Sequence, residues 1–337
     1  MALDILSKKY LPALEVELRS VINEINGTPY QQLKYMLNYH MGWEGKGAGL
    51  QSQGKRIRPL LLLLATNAAG GDWKSALPAA AGIELLHNFS LIHDDIEDKS
   101  PTRRNRPTLW QNWGVPQAIN TGDALFSLAF VSMSSLDKYY SAEITLNVIR
   151  LFENTVLALT KGQFLDISFE DRDEVSIDEY MQMISGKTAA LIGTSIEIGA
   201  ILGNADAETQ GAFRDFGTNL GLAFQIQDDY LGIWGDENLT GKSTATDIQE
   251  KKKTYPIIYG LNESKSFRKL WNKDSFSENE VEQLARILEA SGAREKTRAD
   301  EEKYINEART ALTRAHPMGE AAVALQTLID QLMNRSQ

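Results

Sequence analysis

The feature that most constrains the fold is periodicity: nearly every long segment spaces its apolar residues for a helix rather than alternating them, and runs of β-branched residues flanked by tight turns are few. An all-α fold is the expectation. Gly42, Gly45, Gly47, Gly49 and Gly54 mark a loop, after which Leu60 begins a buried helix. Further helices are expected from about Leu77 to Asp98, Asp123 to Tyr140, Ala142 to Ile167 and Gly211 to Leu231, with a polar loop over Gly232 to Thr246. Ser176 with Glu179, and Ser277 with Glu280, have capping-box spacing and open two more helices, the first running through Met181 and Met183 toward Lys187 and the second ending at Gly292. Pro317 separates the last two helices. No short-period repeat like those of solenoids occurs. No Pro/Gly/Ser-rich linker divides the 337 residues, so one helical domain spanning 1–337 is expected.

Two of these helices end in paired aspartates: His93-Asp94-Asp95-Ile96-Glu97-Asp98 and Gln227-Asp228-Asp229-Tyr230-Leu231-Gly232. Clustered carboxylates repel and lose hydration, and near a helix C-terminus they also oppose the macrodipole, so a cation is called for. All-oxygen ligands select a hard metal such as Mg2+, which keeps water and shares its remaining positions with phosphate oxygens. At about 100° per residue, Asp94 and Asp98 lie about 40° apart on one face, whereas Asp95 points to the side. Alone, such a cluster is as readily a solvated acidic helix end. Two of them, each closing a buried helix, are better placed to face one another across a central cavity and grip one diphosphate.

The cations fit that anion. Lys55, Arg56 and Arg58 stand at the entrance to the Leu60 helix, Arg103-Arg104 follows the first carboxylate cluster, and Lys187-Thr188, Lys242-Ser243 and Lys251-Lys252-Lys253 add candidates. Singly, each is most often a surface residue. With a net charge of −10 and no long basic stripe, nucleic acid is a poor partner. The chain has no cysteine, which excludes disulfides, thiolate chemistry and Cys-ligated zinc. Leu60 to Ala65, the longest strongly apolar run, is far short of the roughly 20 residues that span a bilayer. Residues 1–25 read as an amphipathic helix rather than a secretory signal, and a cytoplasmic protein is expected.

Together these segments, over roughly Gly54 to Pro256, resemble the trans-type isoprenyl diphosphate synthases. The resemblance implies a bundle of mostly antiparallel helices around a deep cavity, usually as a homodimer. It implies that Asp94, Asp98 and Asp228 bind Mg2+, three ions in all, bridging an allylic diphosphate. Arg103, Lys187, Thr188, Gln225, Lys242 and Lys252 match positions contacting that diphosphate or its metal site, and Lys55, Arg58, His87 and Arg104 match the isopentenyl diphosphate pocket. The implied reaction is ionisation of the allylic diphosphate, attack by the isopentenyl double bond, and proton loss to released diphosphate. Catalysis would come from electrostatic stabilisation of the leaving group and from positioning.

Two positions depart from the family pattern. Gly232 stands where many members carry a third aspartate, with Asp236 as a nearby charge, and Asn105 stands where many have glycine, a position that asparagine tolerates in left-handed backbone. His87 lies seven residues before Asp94 on nearly the same face, and its match to the isopentenyl site outweighs a reading as a core histidine. His93 is expected to pack or bond locally. Phe89 and Ser90, about one turn before Asp94, match the floor of the family's chain-length pocket, and Phe126 and Phe130 add bulk. One bulky and one small residue resemble geranylgeranyl-type enzymes more than farnesyl synthases, so a twenty-carbon product is expected, with fifteen carbons close behind. Among rivals, an HD-type phosphohydrolase would need more histidine ligands than His40, His87, His93 and His316 offer, and would leave the second aspartate pair unused. A class I terpene cyclase shares the first motif but mixes Asn, Ser or Thr, and Glu in its second. A non-catalytic subunit of a heteromeric synthase would have no need of intact Asp94, Asp98, Arg103, Arg104 and Asp228. Gly241-Lys242-Ser243 fails P-loop spacing, because the preceding glycine is Gly235.

Overall fold

The computed structural model describes residues 2–235 and 245–333, and among these residues it is helical apart from one short hairpin. The helices are α1 (Ala2–Ile22), α2 (Gln31–His40), α3 (Leu50–Gln53), α4 (Ile57–Ala68) and α5 (Leu77–Glu97). The hairpin β1 (Thr102–Arg103) and β2 (Arg106–Pro107) follows, then α6 (Leu109–Trp113), α7 (Val115–Ser134), α8 (Ala142–Glu170) and α9 (Ile177–Ile184). A π-turn over Ser185–Ala189 joins α9 to α10 (Ala190–Leu202), and α11 (Ala207–Trp234) carries the second aspartate pair. The rest are α12 (Thr246–Gln249), α13 (Tyr255–Glu263), α14 (Lys265–Trp271), α15 (Glu278–Ala290), α16 (Ala293–Arg314) and α17 (Gly319–Met333).

Most expected ends hold, for the expected reasons. Ser176 and Ser277 both close full capping boxes with Glu179 and Glu280, and Gly292 takes a positive φ of 82° after α15. Several boundaries move, among them the expected Tyr140 end, which falls at Ser134, and the expected Gly211 start, which falls at Ala207. Pro116 at the first turn starts α7 at Val115 instead of Asp123, and α4 starts at Ile57 because Arg56 caps it in a left-handed conformation. The expected loop at Gly232 begins only after Trp234, since Gly232 remains inside α11.

The chain divides into two compact units. One comprises residues 1–151, 195–206 and 317–324, the other 152–194, 207–316 and 325–337. In the first, α4 is buried all round from Leu60 to Ala65, as an apolar run with no polar face must be. The small residues of α5 (Ala79, Ala80, Ala81, Gly82) let α7 approach closely, and a Cβ on Gly82 would lie 3.0 Å from the Ala129 carbonyl oxygen. The Gly199 backbone packs against Leu62 in the same unit, where a Cβ would stand 2.4 Å from its carbonyl oxygen. In the second, Phe169, Tyr180, Ile184, Ile226, Tyr255 and Ile258 form one core cluster, and Ile248, Phe267, Trp271, Leu284 and Leu288 belong to another. Among the described residues no helix is long and apolar enough to cross a membrane.

Candidate active site

In the first unit the site is built on α5. Asp94 is half-buried, Asp95 buried and Asp98 exposed at the C-cap, where the Asp98 N–H donates to the Asp94 carbonyl at 2.8 Å. Asp94 and Asp98 thus follow one helical turn apart at its negative end. Asp95 turns away, as the helical angle requires, and accepts from Arg103 Nε at 2.8 Å. Burial pushes the Asp95 carboxyl up to about 6, against the pull of Arg103.

The hairpin aims the arginines. Arg104 and Asn105 form its tip with φ of 51° and 59°, both left-handed, as a tight two-residue hairpin turn requires and as asparagine at 105 permits. Arg104 Nη1 donates to the Ser52 carbonyl at 3.0 Å. Gly54, at φ +81°, makes room for that guanidinium, since a Cβ there would lie 2.6 Å from Nη2. Arg106 is buried and donates to the carbonyls of Tyr39, Glu44 and Lys46 at 2.7, 2.6 and 3.0 Å, with its guanidinium over the Tyr39 ring. It ties the loop to the hairpin, a role that nothing in the local sequence announces.

The Lys55-Arg56-Ile57-Arg58 group divides by role. Arg56 is buried, with Nε on Glu15 at 2.8 Å and Nη1 on Glu84 at 2.7 Å, so it joins α1, α4 and α5 instead of serving as a cation for an anionic ligand. That corrects its expected place among the anion binders. Lys55 is exposed. Arg58 Nη1 lies 3.3 Å from His87 Nε2. Because Arg58 can only donate, Nε2 accepts and the His87 proton resides on Nδ1. Burial, then the charges of Arg58, Arg104, Arg103 and Arg56, holds His87 well below its ordinary value, so it is neutral. His93 packs at a tilt against Phe89 with ring centroids 4.6 Å apart and leaves room only for glycine at 122, the local packing expected of it. Phe89, Phe126 and Phe130 form a continuous aromatic row with centroids 5.1 and 5.2 Å apart, while the Ser90 hydroxyl donates to the His87 carbonyl at 2.9 Å.

In the second unit Asp228 is exposed and Asp229 buried, the same division as in the first pair. Asp229 accepts from the Tyr180 hydroxyl, from the Tyr255 backbone N–H at 2.8 Å and from Gln225 Nε2 at 2.9 Å. Burial lifts it to about 7, and those three donors pull it back. Gln225 Oε1 in turn accepts from the Thr188 hydroxyl at 2.7 Å. Lys187 and Thr188 stand on the π-turn, a distortion often found at functional sites, and Lys187 pairs with Asp166. Gly162 admits that turn: a Cβ there would sit 2.2 Å from the Lys187 nitrogen. The sequence offers no signal for the π-turn beyond its glycines.

The lysine triplet also divides. Lys252 is exposed and lies 2.8 Å from Glu250, Lys251 donates to the Lys273 carbonyl at 2.6 Å, and Lys253 donates to the carbonyls of Phe169, Glu170 and Arg172 at the end of α8. Lys251 and Lys253 are therefore committed to backbone carbonyls, which corrects their expected anion-binding role. Lys242, Ser243 and Asp236 lie outside the described residues. Gly232 is explained by a neighbour: a Cβ on it would fall 2.1 Å from Asp247 Oδ2, so glycine leaves the space that this carboxylate occupies.

The donors suit a hard divalent cation. In the first unit Asp94 and Asp98 share a helix face and Asp98 reaches solvent, which leaves room there for water and phosphate oxygens as further ligands; in the second unit Asp228 is exposed. Among the described residues no group of three acidic or histidine side chains is arranged to hold a metal ion.

The polyprenyl synthetase family model matches residues 48–288. The (2E,6E)-farnesyl diphosphate synthase of Mycobacterium bovis is 36% identical over 313 residues, covering 90% of this chain and 86% of that protein. The geranylgeranyl diphosphate synthase of Mycobacterium tuberculosis is 40% identical over 259 residues, 76% of this chain and 73% of that one. Among solved structures, a polyprenyl synthetase from Streptomyces coelicolor A3(2) superposes with a TM-score of 0.88 at 32% identity, covering 98% of this chain and 99% of that one. The geranylgeranyl pyrophosphate synthetase of Pyrococcus horikoshii Ot3 does so with a TM-score of 0.88 at 31% identity, covering 99% and 98%. With the aspartate motifs, the Arg58–His87 pair and these matches together, the chain belongs to the polyprenyl synthetase family, and it is a prenyl-transferring enzyme.

Proposed function

We propose that the protein is a short-chain trans-prenyltransferase that joins an allylic diphosphate to isopentenyl diphosphate with Mg2+, giving geranylgeranyl diphosphate, with farnesyl diphosphate as the shorter alternative. The observation that carries this reading is α5 itself: it bears His87, paired with Arg58 of α4, about two turns before Asp94 and three before Asp98, so one helix offers a neutral histidine for one diphosphate and carboxylates for a metal. Asp94, Asp98 and Asp228 are the residues to hold Mg2+, three ions with substrate bound. Bound there, Mg2+ neutralises charge on the departing diphosphate.

The remaining work falls to the chain's own groups. Arg103, held by Asp95, together with Lys187, Lys242 and Lys252, supplies positive charge for the allylic diphosphate. Lys55, Arg58, His87 and Arg104 orient isopentenyl diphosphate. His87, being neutral, offers its Nδ1–H as a hydrogen-bond donor while Nε2 stays with Arg58. No protein nucleophile is required, and the released diphosphate takes the final proton. The aromatic row from Phe89 to Phe130, with small Ser90 beside it, supports a pocket for a twenty-carbon chain.

The 337 residues are read as a single isoprenoid-synthase-like domain, because each compact unit is assembled from three separated stretches of the chain. We read the chain as a homodimer, as the family resemblance implies, with the exposed Leu157, Phe164 and Ile167 of α8 as apolar surface available to it. We read the protein as cytoplasmic, with α1 packing Leu3, Leu6, Tyr10, Leu14 and Leu18 into the first unit. Incubation with Mg2+, isopentenyl diphosphate and dimethylallyl, geranyl or farnesyl diphosphate, followed by product chromatography, tests the reading. Elongated prenyl diphosphate, chiefly of twenty carbons, is expected; cyclic hydrocarbon, or no product from the purified chain alone, would overturn it.

A further inference from the structure

A directional hydrogen-bond chain runs through the second unit from Asp229 to Thr188. The Tyr255 backbone N–H can only donate, and it meets Asp229 Oδ2 at 2.8 Å together with the Tyr180 hydroxyl. Asp229 Oδ1 receives Gln225 Nε2 at 2.9 Å. With its amide nitrogen committed to the carboxylate, Gln225 must turn its carbonyl oxygen to Thr188, which donates at 2.7 Å. The Thr188 hydroxyl has one proton, and it is used inward. Its oxygen is left with lone pairs only.

We propose that Asp229 is a positioning residue that sets the polarity of this chain, so that Thr188 enters the prenyl-transfer site as a hydrogen-bond acceptor and not as a donor to diphosphate. The proposal rests on the prenyl-transfer reading and revises one detail of it, since family resemblance alone counts Thr188 and Gln225 among the diphosphate contacts. Both aspartates of the second motif then have work of different kinds. Exposed Asp228 is available to a metal, whereas buried Asp229, already receiving three donors, faces inward.

Asp229→Asn supplies the test because it is isosteric and its orientation is forced. The asparagine oxygen must stay with the Tyr255 N–H, which puts its NH2 toward Gln225. Gln225 then flips, presents Nε2 to Thr188, and frees the Thr188 proton to point outward. The expected result is a kcat lowered roughly tenfold, with affinity for Mg2+–pyrophosphate not weakened. The loss should disappear in a Thr188→Val background, where no hydroxyl remains to reverse. If the Asp229→Asn chain does not fold, Gln225→Leu should give the same loss and the same non-additivity with Thr188→Val. Additive losses, or weakened Mg2+–pyrophosphate binding, would overturn the assignment. Neutron diffraction of the wild-type protein decides the polarity without any assay: a Thr188 deuteron directed at Gln225 Oε1 supports the proposal, and one directed away from it overturns it. A wild-type protein that forms no prenyl product would defeat the functional reading while leaving the diffraction result to stand on its own.

Discussion

Within each aspartate pair the first member is reachable and the second is buried, so neighbouring residues of one type have opposite tasks. The helical angle predicts this for Asp95, about 100° from Asp94, but its partner Arg103 is fixed by a hairpin that the sequence does not announce. Long-range pairing is the common reason that residue roles were hidden. Arg56 reads as one more cation beside Lys55 and Arg58 until Glu15 and Glu84 are seen to enclose it. Arg106 has three backbone carbonyls as partners, which carry no sequence signature. Phe89 and Ser90 precede Asp94 at fixed helical spacing, and the family resemblance offers them as the floor of the chain-length pocket. Ser90→Phe is expected to shorten the main product by about one five-carbon unit, through added bulk beside the Phe89 row, and Phe89→Ala to lengthen it. Chromatography of the products from both variants checks the placement, and unchanged distributions in both would remove Phe89 and Ser90 from the chain-length pocket.

Element boundaries followed local chemistry wherever a cap or proline set them. Ser176 accepts from the Glu179 N–H at 3.2 Å and Glu179 returns the bond to the Ser176 N–H at 2.9 Å, so α9 starts where its sequence says. Ser176→Ala should cost about 1 kcal/mol of folding stability, read as a lower urea midpoint at unchanged slope. The π-turn after α9 was not legible, because it answers to close approach by Gly162 from another helix. Gly232 departs from the expected loop for a related reason. Glycine after an aspartate motif reads as a loop signal, yet here it lies inside α11 and clears space for Asp247.

Across the whole molecule, fold class and the candidate carboxylates were readable from periodicity and spacing, while the electrostatic setting of the histidines was not. His40 and His87 are both held well below the ordinary histidine value, first by burial and then by charges that include Arg104, Arg103 and Arg56. Both are therefore neutral when folded but titrate near 6.5 when unfolded. As pH falls through that value the unfolded chain takes up protons that the folded chain refuses, so stability drops. Urea midpoints should decline between pH 7.5 and 5.5, and the decline should shrink in a His40→Gln, His87→Gln variant. An unchanged slope would mean that these histidines accept protons when folded. The most direct test of the central claim is radiolabelled isopentenyl diphosphate incorporation by Asp94→Ala beside wild type, with Mg2+ and an allylic diphosphate. The account predicts that wild type incorporates label and that the variant falls by at least about 100-fold with its folding intact. A folded Asp94→Ala protein with full activity would contradict it.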